Sequence, residues 1–228
     1  MNGNGTKDRL ALALDVDDLV VAMRLAKELQ PYFGVAKVGL ELYSASGPEA
    51  VSTLQDMGYD VFLDLKLFDI PNTVEKAARV AGAYGVKYLT IHAMGGPVVL
   101  RAGVEGLKDG AERAGLPEPV SLAVTVLTSD PDAPPHVLPH RIGVAIEVGA
   151  GGIICAGTDL QLARELGPRL LKVVPGTRPP WTPTHDQARV TTPKEALDAG
   201  ADLLVIGRAV TAADDHRAAA EQLVGSLA

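Results

Sequence analysis

The stretch VFLDLKLFDIP, residues 61–71, is an apolar strand pattern that ends in three charges and a proline. Side chains on a strand alternate between its two faces, so we expect Asp64 and Lys66 to point the same way. Burying a carboxylate and an ammonium is costly unless the two ions are paired and hydrogen-bonded, and this cost favours a functional role. Asp69 follows just past the strand, and Pro71 presets the first turn of a helix. The stretch therefore predicts one βα unit with a charged junction.

The same βα pattern repeats along the whole chain. Short apolar strand patterns alternate with amphipathic helix patterns, which is typical of a parallel sheet. Strands are predicted at residues 10–16, 35–40, 61–67, 88–93, 120–127, 152–156, 171–175 and 203–207. Helices are predicted at residues 19–29, 48–57, 72–83, 97–114, 138–148, 159–166, 193–199 and 212–227. Eight such pairs predict an α/β fold, a (β/α)8 TIM barrel, as a single domain over residues 1–228.

Composition and charge argue against several classes of protein. The chain has 228 residues, of which 47% are hydrophobic and 21% charged, enough for a substantial core. The formal net charge of −7 and the lack of a basic stripe argue against a nucleic-acid partner. No apolar run approaches the roughly 18 residues of a membrane span, and no secretory signal is visible. We expect a globular protein of the cytoplasm with no membrane partner.

Polar residues lie where the predicted strands end. In a (β/α)8 barrel the working residues sit at the carboxyl ends of the strands and in the loops that follow. Asp15 ends the first strand, Lys37 lies on the second, Asp64 and Lys66 end the third, and His92 ends the fourth. We therefore expect these side chains to meet at one mouth of the barrel.

The loops after the last two predicted strands favour an anion. Pro175-Gly176 opens a long loop, and Gly207-Arg208 directly precedes a short helix. This fold usually holds a phosphate in these two loops, because backbone N–H groups and a helix N-terminus attract it. The sequence therefore predicts a phosphorylated small molecule as ligand, with residues 176–190 as a lid over it.

In these motifs the chain resembles the orotidine 5′-monophosphate decarboxylase family. The family's Asp-x-Lys-x-x-Asp-Ile-Pro motif reads here as residues 64–71 and continues into Asn72-Thr73. Further matches follow the same order: Leu14-Asp15, Lys37-Val38-Gly39, residues 124–129, Pro175-Gly176, Asp186-Gln187 and residues 205–208. The resemblance implies a homodimeric carboxy-lyase that forms UMP in de novo pyrimidine biosynthesis and uses neither cofactor nor metal.

The resemblance also implies a role for each matching residue. The catalytic array would be Lys37, Asp64, Lys66 and Asp69, with Asp69 supplied by the other subunit of the homodimer. Substrate would be bound by Asp15, Lys37, Thr73 of the other subunit, His92, Thr128, Pro175, Gln187, Gly207 and Arg208. Of these, Asp15, Lys37 and Thr73 would contact the ribose, Thr128 the pyrimidine, and Gln187, Gly207 and Arg208 the phosphate.

The chemistry of the reaction points to one lysine. Loss of CO2 from the pyrimidine C6 leaves a carbanion in the ring plane, and without a metal or electron sink the protein must stabilise it electrostatically. An ammonium beside C6 does this and also delivers the proton that ends the reaction. Lys66 is the predicted acid. Asp64 is predicted to hold Lys66 and to disfavour the substrate carboxylate.

Other interpretations stay open for single residues and for the whole chain. Asp64 with Lys66 also fits a structural ion pair, and His92 fits a core histidine. A sugar-phosphate aldolase such as hexulose-phosphate synthase shares the Asp-x-Lys-x-x-Asp array with a bound magnesium. Lys37 argues against it, because a lysine there would repel the cation. A noncatalytic phosphate-binding barrel is also open, since a fold does not fix a function.

Overall fold

The computed structural model describes residues 4–130, 132–181 and 191–227. Within these ranges, eight parallel strands form a closed barrel in which each strand pairs with the next along the chain and the last pairs with the first. The strands are β1 Leu10–Ala13, β2 Val35–Gly39, β3 Asp60–Leu67, β4 Tyr88–His92, β5 Val120–Val124, β6 Gly152–Ile154, β7 Leu171–Pro175 and β8 Leu203–Ile206.

Helices follow every strand and cover the outside of the barrel. They are α1 Asn4–Lys7, α2 Leu19–Leu29, α3 Leu40–Ser46, α4 Glu49–Asp56, α5 Pro71–Ala83, α6 Gly96–Arg113, α7 Val137–Glu147, α8 Leu160–Leu166, α9 Pro193–Asp198, α10 Arg208–Thr211 and α11 His216–Gly225. Short 3-10 helices occupy Ala93–Gly95 and Gly157–Asp159. Among the described residues, no helix has both the length and the apolar character that a membrane crossing requires.

The predicted (β/α)8 barrel is confirmed, and every predicted strand and helix has a counterpart. Strands β1 and β5 end at Ala13 and Val124, earlier than predicted, because the apolar pattern continues past the paired ladder. Leu14 and Val126 remain buried at the barrel rim without belonging to a strand. Helix α3 was not predicted, because it follows β2 directly and only one helix was assigned between the second and third strands.

Apolar side chains fill the barrel from within and cover it from outside. Inside, Phe62 and Tyr88 make an edge-to-face contact with ring centroids 5.9 Å apart, and Leu122 and Val173 join the same cluster. A larger cluster lies between the strands and the helices. The interior is therefore a packed core that supports the polar mouth from below.

Strand β3 is irregular where its charged residues lie. Leu63 pairs with Leu89, and Leu67 pairs with Ile91. An advance of four residues along β3 therefore corresponds to an advance of only two residues along β4. Lys66 lies in this bulge with φ 49°, the left-handed region that non-glycine residues seldom adopt. The predicted strand at residues 61–67 is confirmed as β3, but its pairing with β4 is interrupted by this bulge. A bulge adds residues to one strand and re-aims their side chains.

Candidate active site

Four side chains form a row of alternating charge at the carboxyl end of the barrel. Lys37 Nζ lies 2.8 Å from Asp15 Oδ1 and 3.7 Å from Asp64 Oδ2. Lys66 Nζ lies 2.9 Å from each carboxylate oxygen of Asp64. We term the sequence Asp15, Lys37, Asp64, Lys66 the charge row. Each inner member of the row has an opposite charge on both sides.

Three neighbouring strands hold the charge row in place. Asp15 follows β1, Lys37 lies on β2, and Asp64 and Lys66 lie on β3. The ladder pairs Lys37 with Ala13 and Asp64 with Gly39, which fixes the heights of the charges relative to one another. Gly39 leaves room for the first ion pair, because a Cβ there would lie 3.0 Å from both Asp15 Oδ1 and Lys37 Nζ.

Burial differs between the inner and outer members of the row. The side chains of Lys37 and Asp64 are 9% and 14% exposed, whereas those of Lys66 and Asp15 are 35% and 57% exposed. Coulomb attraction is stronger in the less polar interior, so the charges of Lys37 and Asp64 act more strongly on their neighbours than exposed charges would. The outer charges, Lys66 and Asp15, remain accessible to a ligand.

Two cavities meet at the charge row. One, of about 410 Å³, is termed the outer cleft. Besides the charge row, its lining includes Gly39, Glu41, Gly176, Arg178, Gly207 and Arg208. The other, of about 350 Å³, is termed the inner pocket, and its lining includes Phe62, Val126, Thr128 and Ile154. Both are lined by Lys37, Asp64, Lys66, Pro175 and Val205. The reacting part of a ligand at the row would thus lie between a polar cleft and a largely apolar pocket.

The far end of the outer cleft is built from the loops after β7 and β8. Gly176 turns the chain with φ 74°, and the Arg178 side chain that follows is almost fully buried. Gly207 precedes α10, and Arg208 is the first residue of that helix. Backbone N–H groups and two guanidinium groups therefore line this end, an environment that favours an anion.

Several predicted site residues lie away from both cavities. Asp69 is exposed, and its Oδ1 accepts a hydrogen bond of 2.6 Å from the Ile70 N–H. Thr73 is exposed in the first turn of α5. His92 is the last residue of β4 and is half-buried. Its ring makes an edge-to-face contact with Phe68, with the ring centroids 6.1 Å apart. In contrast, Asp15, Thr128, Pro175, Gly207 and Arg208 all line one of the cavities.

Part of the prediction concerns residues that the structure does not describe. Gln187 lies outside the described residues, and so do residues 182–190 of the predicted lid.

Two residues of the site were missed in the sequence. Thr90 is fully buried on β4 and hydrogen-bonds to both Asp64 and the Lys66 backbone. Threonine is common in strands, so nothing in the pattern of β4 distinguishes it. Arg178 did have a signal: it is a cation two residues after the Pro175-Gly176 turn, in a loop that this fold uses for phosphate.

The barrel and the charged cavities at its mouth are those of a TIM-barrel enzyme, and comparison with known proteins identifies its family. The model of the "Orotidine 5'-phosphate decarboxylase / HUMPS family" matches residues 8–223. The orotidine 5′-phosphate decarboxylase of Anaeromyxobacter dehalogenans is 44% identical over 231 residues, which cover 96% of this chain and 98% of that protein. The protein of the same name from Moorella thermoacetica is 41% identical over 237 residues, covering 97% and 92%.

A solved structure agrees with these matches. The crystal structure of orotidine 5′-phosphate decarboxylase from Lactobacillus acidophilus has a TM-score of 0.80 and 33% identity, and the match covers 96% of this chain and 99% of that one. The chain belongs to the orotidine 5′-phosphate decarboxylase / HUMPS family. The family and enzyme class predicted from the sequence, a carboxy-lyase, are confirmed.

We expect the imidazole of His92 to stay neutral at pH 7. Burial lowers the pKa of His92 below its usual value of 6.5, and the charges of Arg141 and Lys66 lower it further. As the pH falls, His92 becomes protonated in the unfolded chain before it does in the folded protein. Protonation of His92 therefore favours unfolding, and the free energy of unfolding decreases as the pH falls below 6.5. NMR titration of the His92 ring should give a pKa below 6.5 that rises in R141Q. A pKa above 6.5, or no rise in R141Q, would contradict this assignment.

Proposed function

We propose that this protein decarboxylates orotidine 5′-monophosphate to UMP in de novo pyrimidine biosynthesis, without a cofactor or metal. The observation that carries the proposal is the charge row, which lines both a cleft that ends at Arg178 and Arg208 and a largely apolar pocket. The two relatives described above are named for this activity, and the matches span nearly their whole length.

The two cavities suit the three parts of this nucleotide. The phosphate fits the end of the outer cleft at Gly207 and Arg208, with Gln187 as a further proposed contact. The ribose hydroxyls fit beside Asp15 and Lys37. The pyrimidine fits the inner pocket, where Phe62 and Val126 offer apolar surface and Thr128 a polar contact. A mostly apolar pocket with a few polar groups is the usual form of such a binding site.

Lys66 is the proposed acid of the reaction. When the bond between C6 and the carboxylate breaks, CO2 leaves and the electron pair stays on C6. The Lys66 ammonium then gives its proton to C6, and UMP is formed. Asp64 fixes this ammonium before the reaction, since both its oxygens lie 2.9 Å from Lys66 Nζ. An ammonium that is already oriented stabilises the developing carbanion with little reorganisation.

Asp64 has a second proposed effect, which its environment weakens. A carboxylate beside the substrate carboxylate would raise the energy of the bound substrate. However, the negative charge of Asp64 is already compensated by Lys37 and Lys66. We therefore assign Asp64 mainly to positioning Lys66, and only secondarily to repulsion of the substrate.

The phosphate is proposed to contribute to catalysis from a distance. It would bind at the loops after β7 and β8, away from the reacting carbon. Binding energy from a remote part of a substrate can align the reacting part against the catalytic groups. Arg208 is therefore assigned to alignment as well as to affinity.

The geometry disfavours the metal-dependent aldolase. The family description joins two names, so family membership alone does not decide between them. Magnesium needs oxygen ligands, and Asp15 and Asp64 are the carboxylates of the charge row. Lys37 Nζ lies between them, so the position suited to a bridging cation already holds an ammonium.

Turnover of orotidine 5′-monophosphate, followed by its ultraviolet absorbance, tests the proposal. We expect decarboxylation at a rate that stays within about twofold after treatment with EDTA, because no step uses a metal. Enzyme dialysed and resupplied with magnesium serves as the control. Loss of decarboxylation in EDTA that magnesium restores would contradict a reaction without a metal. Binding of UMP without any turnover of orotidine 5′-monophosphate would favour a noncatalytic barrel.

We further propose a homodimer with shared active sites. Exposed apolar side chains gather after β2, β3 and β4: Leu40, Phe68, Ile70, Met94 and Val98. Phe68 and Ile70, which flank Asp69, are 55% and 65% exposed. An apolar surface of this kind indicates a protein interface. In a two-fold symmetric dimer, each subunit could then supply Asp69 and Thr73 to the site of the other.

Mixing inactive variants tests the shared site. K66A and D69A should each be inactive, but their heterodimer contains one site with both groups intact. After subunit exchange we expect about one quarter of wild-type activity, since half the dimers are mixed and each has one working site.

A mixture of K66A and D64A is the matched control. Asp64 and Lys66 of any one site come from the same subunit. Each site in that heterodimer therefore lacks either Asp64 or Lys66 and should stay inactive. If K66A with D69A also stays inactive after exchange is verified, Asp69 does not act across the dimer.

A further inference from the structure

The bulge in β3 places one residue of β4 opposite three of β3. Leu63 pairs with Leu89 and Leu67 pairs with Ile91, which leaves Thr90 alone on β4 against Asp64, Leu65 and Lys66. In a regular parallel ladder, backbone groups of the two strands would bond to each other at this point. The extra residues of the bulge interrupt that pattern, so their backbone groups need other partners.

The Thr90 hydroxyl supplies the missing partner. Thr90 is fully buried, and its Oγ1 accepts a hydrogen bond of 2.9 Å from the Lys66 backbone N–H. The same hydroxyl donates to Asp64 Oδ1 at 2.9 Å. One side chain thus bonds to the backbone of the proposed acid and to the carboxylate that orients it. Chains of hydrogen bonds such as this one strengthen each other in a buried setting.

The Lys66 backbone needs such support. Its φ of 49° is unfavourable for a residue with a Cβ, and strained conformations persist only where the surroundings fix them. The hydrogen bond from its N–H to Thr90 fixes the peptide plane directly before this strained residue. In this conformation the Lys66 side chain folds back along the chain, and its Nζ contacts both carboxylate oxygens of Asp64, two residues earlier.

We propose that Thr90 is a positioning residue for decarboxylation. Its hydroxyl holds the Lys66 backbone and the Asp64 carboxylate in the relative position that aims the Lys66 ammonium at C6. Thr90 lines neither the outer cleft nor the inner pocket, so it acts through Lys66 and Asp64 and not on the substrate. This inference rests on the proposed function of the site.

The test compares T90V with T90S. Valine keeps the shape of threonine and removes the hydroxyl, whereas serine keeps the hydroxyl. We expect kcat for orotidine 5′-monophosphate to fall about 10- to 100-fold in T90V, because small displacements of catalytic groups have effects of this size. The Kd of UMP should stay within about twofold, and T90S should recover most of kcat.

Y59F is the matched control. Tyr59 is also buried, just before β3 and outside both cavities, and its hydroxyl donates at 2.7 Å to the carbonyl oxygen of Ala26. Y59F therefore loses a buried hydrogen bond and any stability that depends on it, but should keep kcat. Equal losses of kcat in T90V and Y59F, unchanged kcat in T90V, or no recovery in T90S would each overturn the inference.

A crystal structure of T90V separates this inference from the proposed function. We expect Lys66 to leave the left-handed region, or its Nζ to lose contact with at least one oxygen of Asp64. Unchanged geometry at both residues would overturn the positioning role. This result does not depend on turnover, so a wild-type protein that fails to decarboxylate orotidine 5′-monophosphate would refute the proposed function alone.

Discussion

The carboxylate of Asp64 is bound from three neighbouring strands. Lys37 approaches from β2, Lys66 from β3 itself, and the Thr90 hydroxyl from β4. The Asp64 carboxylate is only 14% exposed, and its charge is stable there because these partners replace the hydrogen bonds to water that it loses on burial. The site therefore depends on the pairing of β2, β3 and β4, because their register brings these three groups together. The orientation of Lys66 and the chemistry proposed for it follow from this contact.

In the proposed function, the groups that hold the phosphate are distinct from those that act at the reacting carbon. Cationic and backbone groups gather in the loops after β7 and β8, whereas the charge row lies on the neighbouring strands β1 to β3. A charge row that is already assembled needs little rearrangement when negative charge develops on a substrate. An anchored phosphate would then limit the positions open to the pyrimidine.

Much of this architecture could be predicted from the sequence, because apolar periodicity and charge placement are local signals. The eight βα pairs predicted the barrel, and residues 64–71 identified the mouth and the family. Two features depend on contacts between distant residues and could not be read in this way. The bulge at Lys66 depends on pairing with β4, and Thr90 looks like any strand threonine. The alternation of side chains along β3 correctly predicted that Asp64 and Lys66 point the same way. The backbone at Lys66 is nevertheless in the left-handed region and not in the extended conformation of a regular strand.

The most direct test of the account is the effect of K66A on turnover and on binding, measured separately. Removing the proposed acid should lower kcat for orotidine 5′-monophosphate at least about 10⁴-fold, because both the proton and the fixed positive charge are lost. The Kd of UMP should stay within about tenfold, since the phosphate and ribose contacts remain. K87A, which removes an exposed lysine paired with Asp60 at the far end of the strands, should leave both unchanged. Appreciable turnover by K66A, or a loss of UMP binding as large as the loss of turnover, would contradict the account.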